Sequence, residues 1–150
     1  MLLGTFFSQY VVAVPFVAWL AAQIIKISIG GRLKNARSIG ELFQSGGMPS
    51  AHCAFMLALT TAILMKEGIG SSLFALSLAF AAIVVYDAIH VRRESGIHAQ
   101  ILNAFHEKTP LPSAAFSKFF PLEIHIGHEV VEAACGSILG VLIALLCLWL

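Results

Sequence analysis

The chain has 150 residues, of which 59% are hydrophobic and only 11% charged, and its mean hydropathy is +0.89. Soluble domains are about 45–50% apolar and roughly 25% charged, so a disordered chain, a basic nucleic-acid binder and a secreted disulfide scaffold are all excluded. Nine Lys and Arg against eight Asp and Glu leave a net charge of +1, and the information lies in where those charges fall.

The length fits one domain, residues 1–150. Four stretches approach the roughly 20 apolar residues that cross a bilayer: residues 10–29, from as early as Phe6, then 51–65, which is short, then 73–91 and 130–150. The first lacks a charged leader and a small-residue cleavage site, so it reads as a span. The expected fold is therefore all-α, an integral membrane bundle of about four transmembrane helices. Between the spans, residues 30–49 are rich in Gly and basic residues, and 66–72 form a tight turn. Residues 92–127 begin with a polar helix, Glu94 to Glu107, followed by Thr109-Pro110-Leu111-Pro112. An amphipathic run from Ala114 to Phe120 then adds a short interfacial or re-entrant segment. Cys53, Cys135 and Cys147 are odd in number and lie in apolar stretches, so no disulfide is expected.

Lys26, Arg32, Lys34, Arg37, Arg92, Arg93, Lys108 and Lys118 fall at one face of this arrangement, and only Lys66 at the other. The positive-inside bias then puts loops 30–49 and 92–127 in the cytoplasm and both termini outside, as expected of a bacterial inner-membrane protein.

Charged and polar groups in spans are costly, about 2.5–3.5 kcal/mol for a centred charge on insertion scales. Here they gather at one end: Lys26, Ser50, His52, Asp87, His90, Arg92, Arg93, His128 and Glu132. In Gly46-Gly47-Met48-Pro49-Ser50-Ala51-His52, two glycines permit a sharp path and proline suits a first helical turn. The helix beginning there offers free N–H groups and the Ser50 hydroxyl to an anion, and His52 can protonate a departing oxygen. His128 and Glu132, four apart, share a helix face, so the carboxylate can fix the tautomer and leave the other nitrogen free as a nucleophile. Asp87 is spaced to pair with Arg92, Arg93 or Lys26 and hold that cation in place. Plainer readings exist for each: a capped loop, an interfacial histidine with a snorkelling glutamate, two arginines anchoring topology. His125, His128 and Glu129 lie close together, but His-Glu-x-x-Glu lacks the second histidine of a zinc-protease helix, so neither metal nor cofactor is expected. Together the set suits phosphoryl transfer, where a protein mostly positions and neutralises phosphate oxygens.

Gly46-Gly47-Met48-Pro49-Ser50-Ala51-His52, Tyr86-Asp87-Ala88 with Val91-Arg92-Arg93, Leu102-Asn103, and Gly127-His128 with Glu132 resemble the divergent branch of the type 2 phosphatidic acid phosphatase superfamily, also called acid phosphatase/vanadium-dependent haloperoxidase-related. The resemblance runs from Lys26 to the last span. It implies that His128 is the nucleophile forming a phosphohistidine, with Glu132 standing where the superfamily has Asp. It implies also that His52 is the general acid, and that Lys26, Arg37, Gly47, Ser50, Arg92 and Arg93 serve phosphate. Two departures stand out. Leu122 occupies the place of the arginine six residues before the nucleophile, so Arg92 or Arg93 must supply that contact. Neither Arg32 nor Arg37 keeps the spacing of the superfamily's Lys…Arg motif.

The expected activity is metal-independent hydrolysis of a lipid phosphomonoester or pyrophosphate; the resemblance implies phosphatidylglycerophosphate, the first candidate, phosphatidic acid, or a polyprenyl phosphate or pyrophosphate. The alternatives are a small four-span transporter and a non-catalytic lipid-phosphate binder. A transporter is expected to hold an essential charge near mid-bilayer, whereas these charges cluster at one end. The expected partners are the phosphorylated lipid and the bilayer, with no nucleic acid. Gly136 and Gly140 form a small-residue face suited to close helix contact within the chain or in a homodimer.

Overall fold

A computed structural model describes residues 11–29, 47–108, 118–124 and 127–149. Arg32, Lys34, Arg37, the Thr109–Pro112 stretch, His125 and the first residues of the Ala114–Phe120 run lie outside them, as does the chain before Val11. The described residues form four helices and no strand, as expected of an all-α fold: α1 (Ala13–Ile29), α2 (Ala51–Glu67), α3 (Ser72–Lys108) and α4 (Val130–Trp149).

Helix boundaries reflect local chemistry. Ser50 caps α2 by accepting the Cys53 N–H. At the other end Gly68, at φ +80°, turns the chain and donates its N–H to the Leu64 carbonyl. Ser71 then caps α3 through the Phe74 N–H at 3.2 Å. The α2 helix is 17 residues long, two longer than its apolar run and with no extra turn before Ala51.

The α3 and α4 helices are long and apolar enough to cross a membrane. At 17 residues each, α1 and α2 fall at the short end of the spanning range. Large apolar side chains such as Phe16, Leu20, Ile24, Leu76, Phe80, Ile83, Leu142 and Leu146 face outward, which a bilayer favours and water does not. Composition alone ends the third span at Val91 and starts a separate polar helix at Glu94. These are instead one helix of 37 residues, in which the apolar part passes into the polar part through a π turn at Asp87–Val91.

The central helix is α2, packed on α1, α3 and α4. Its core is made of small residues: Ala18, Ala58, Ala62 and Ala144 at one level, Ala22, Ala51 and Ala54 at the next, and Cys53, Ala88 and Ala133 nearest the polar end. Apolar lipid provides no hydrophobic drive between helices, so close backbone approach and shared hydrogen bonds hold them. The Thr60 hydroxyl lies within bonding distance of both the Met56 and the Ser77 carbonyl, tying α2 to α3. A Cβ on Gly136 would collide with the Ser50 carbonyl oxygen, and one on Gly140 with that of Ala54. The Gly136/Gly140 face is therefore occupied within the chain, and a second copy would have to use another surface. Because both glycines advance in step with α2, α2 and α4 run parallel and bring their N-termini to the same end.

Candidate active site

That shared end is where the sequence-selected side chains meet. The Ser50 N–H donates to the Glu132 carbonyl at 3.0 Å, locking the start of α2 to the first turn of α4. The π turn of α3 arrives beside them. Its wider loop lets the Arg92 N–H reach back to the Asp87 carbonyl, and the Ala88 carbonyl accepts the His128 N–H at 3.0 Å. Such turns are frequent at functional sites.

Gly127 makes this docking sterically feasible. It adopts φ +100°, and a Cβ there would stand 2.5 Å from the Arg93 nitrogen and 2.7 Å from the Arg92 carbonyl carbon. Only glycine lets the chain pass so near the α3 backbone. Further back, Asn103 clamps the returning segment: its Nδ2 donates to the Leu122 carbonyl at 2.9 Å and its Oδ1 accepts the Leu122 N–H at 2.8 Å. Leu122, which stands where the superfamily has arginine, is thus held by its backbone. Phe120 stacks on His106 of α3, with centroids 4.1 Å apart.

His128 is 5% exposed, and its Nδ1 lies 3.0 Å from Glu132 Oε2. The same carboxylate oxygen accepts the Glu129 N–H at 3.1 Å, so Glu132 also caps its own helix. With Nδ1–H donating to the carboxylate, Nε2 is the free ring nitrogen. Burial pushes the His128 imidazole below its ordinary pKa of 6.5, and the positive charges of Lys26 and Arg92 add to this. The Glu132 hydrogen bond and charge oppose it, and burial prevails. A neutral imidazole at pH 7 is the nucleophilic form.

His128, His52, Asp87, Ala88, Val84 and Arg92 enclose a cavity of about 80 Å³, room for several waters or a small tetrahedral anion. The two histidines come from different elements, and His52 is the more exposed. Arg92 Nε donates to Asp87 Oδ2, the pairing anticipated from their spacing, so the guanidinium is aimed by a carboxylate. Lys26, on the last turn of α1, is buried, and its charge reaches both histidines.

Other expected residues sit elsewhere. Arg93 lines a second space of about 390 Å³ with Gly47, Gln100, Glu129 and Glu132, on the far side of His128. Ser50 is wholly buried, its oxygen accepting the Cys53 N–H, and it lines neither space. It acts here as a helix cap. His90 stacks on Tyr86 at 4.5 Å, away from the cavity. Among residues without an assigned role at the sequence level, Asn103, Gly127 and the Ala88 carbonyl position the site. A glycine directly before a histidine was the available signal for the second of these.

The divergent PAP2 family matches residues 7–143. The chain is also similar to the uncharacterized membrane protein YuiD of Bacillus subtilis (strain 168), 34% identical over 137 residues that cover 85% of this chain and 87% of that one. No solved structure matches.

Proposed function

The chain belongs to the divergent PAP2 family, and from that premise we propose that this membrane protein is a metal-independent lipid phosphate phosphatase working through a phosphohistidine. The carrying observation is the small cavity bounded by His52, Arg92 and a His128 whose Nδ1 is held by Glu132. A lipid phosphomonoester or pyrophosphate places its terminal phosphate there. His128 Nε2 attacks phosphorus while His52 gives its proton to the departing oxygen. Water then attacks the phosphohistidine, with His52 now taking a proton, and orthophosphate leaves. Arg92, aimed by Asp87, and Lys26 neutralise the non-bridging oxygens as charge builds.

We place the site end in the cytoplasm and both termini outside, in a bacterial inner membrane. Cysteine labelling at Ser38 and Ser71 should report opposite sides, with Ser38 inside; labelling of both from one side would remove the topology. For the chemistry, purified protein in detergent with EDTA should release phosphate from lipid phosphates, and acid quench should trap acid-labile phosphohistidine. Absence of turnover with EDTA and its return with a divalent ion would overturn the metal-independent reading.

A further inference from the structure

One stripe of α1 changes character along the helix. Phe16, Trp19, Gln23 and Lys26 follow one another at spacings of three, four and three, so they share a face. Phe16 and Trp19 line an apolar groove of about 360 Å³ together with His52, Phe55, Met56 and Val84. Phe16 also meets Phe55 edge to face at 5.3 Å. Further along, Ala22 clusters with Ala51 and Ala54, which flank His52 in sequence. The stripe ends at Lys26, which is 4% exposed and whose charge reaches both histidines. Gln23 stands between groove and cation and is 5% exposed. Among the described residues, its Oε1 is the one buried side-chain polar atom without a hydrogen-bond partner.

Buried polar atoms are almost always paired, and inside a membrane bundle no bulk water meets an unpaired carboxamide. Methionine or leucine would fill a similar volume without that penalty, so packing alone does not account for a glutamine here. The complement is an ammonium, with three N–H donors and no acceptor, whose burial requires that those donors be met. Gln23 and Lys26 are three apart on the buried face of α1, within side-chain reach. We propose that Gln23 is a positioning residue: when Lys26 turns its ammonium to the substrate phosphate, Gln23 Oε1 accepts one Nζ–H and holds the ammonium on the non-bridging oxygens. This rests on the phosphatase reading and adds a residue to that site. Lys26 supplies the charge and Gln23 its direction, as Asp87 does for Arg92 on α3. The contact counts most while charge builds during transfer, so its loss falls on kcat more than on KM.

The test is a double-mutant cycle over Gln23→Met and Lys26→Met, assayed in detergent on phosphatidic acid and on nitrophenyl phosphate, with the thermal midpoint of each variant. Gln23→Met should keep or raise the midpoint, because it removes an unpaired buried atom. It should lower kcat by about tenfold on both substrates and leave KM nearly unchanged. In the Lys26→Met background the same change should cost nothing further. Full activity in Gln23→Met, or losses that multiply in the double variant, would overturn the proposal while the phosphatase stands. A lowered midpoint with kcat and KM both disturbed would make Gln23 structural and overturn it equally. Should Gln23→Met not fold, Gln23→Leu takes its place in the cycle, and failure of both to fold again makes the residue structural. If the wild-type protein hydrolyses neither substrate and traps no phosphohistidine, both readings fall.

Discussion

The space between His52 and His128 and the space on the far side of His128 differ in size, lining and charge. The first holds about 80 Å³ and is walled by two imidazoles and a guanidinium tied to a carboxylate. The second holds about 390 Å³ and mixes Arg93 with Gln100, Glu129 and Glu132. The cations at the first suit an anionic phosphate under the proposed mechanism, whereas the second sets two carboxylates, Glu129 and Glu132, against one arginine. Adjacent residues on a helix point roughly 100° apart, so Arg92 and Arg93 are divided between the two spaces by geometry alone. Adjacency in sequence hides that division. Under the proposed mechanism the smaller space takes the reacting phosphate and the larger one holds the groups behind the nucleophile.

The largest expected effect is at the wall the two spaces share. His128→Ala should abolish both turnover and the trapped phosphohistidine, whichever space holds the substrate. Retention of turnover at a comparable rate, or label on another residue, would end the proposed mechanism. His52→Ala asks which space holds the leaving group. General acids contribute roughly 10²–10⁴-fold, so an alkyl phosphate should slow by about a thousandfold. An activated aryl phosphate, whose leaving group needs little protonation, should slow far less. Equal losses on both would place His52 outside the proton path.

The arginines give the sharpest break. Arg92→Ala should cost about a hundredfold in kcat, the scale on which one oxyanion contact acts. Arg93→Ala should cost only a few-fold, since Arg93 lines the larger space and not the cavity. The reverse ranking would make the larger space the reaction space. Asp87→Asn should reproduce part of the Arg92→Ala loss, because an unheld guanidinium no longer points into the cavity.

Legibility in the sequence depended on range. The places of the apolar helices, the His128–Glu132 pair and the Asp87–Arg92 pair are local, set by composition and by spacings of four and five, and each is readable in sequence. Which arginine lines the cavity is not, because it depends on a π turn that shifts helical phase by one residue at Asp87–Val91. Ser50 misleads for a related reason. A serine before a helix is equally a cap and an anion ligand, and only the approach of Gly136, burying it completely, favours the cap. Asn103 and Leu122 are 19 residues apart, and no local pattern announces a clamp of that reach.

The smallest expected effect concerns a residue that lines the larger space yet acts in the smaller. Glu132 lines the larger space, and under the proposed mechanism it acts on phosphorus through the His128 ring. Glu132→Gln keeps an acceptor for Nδ1–H and removes the negative charge, so kcat should fall by about tenfold, with kcat/KM dropping in step and KM little changed. The pH profile separates this from simple loss of structure. Attack needs neutral His128, so activity falls as pH drops through its pKa, which burial holds below 6.5. The Glu132 charge raises that pKa; removing it must lower the pKa further and carry the acid limb of kcat/KM to lower pH. The substrate phosphate titrates in the same region, but identically for both proteins, so the difference between their profiles isolates the histidine. A lower plateau with an unmoved acid limb would mean that Glu132 serves only as the cap of α4, and that the two spaces are not coupled through His128.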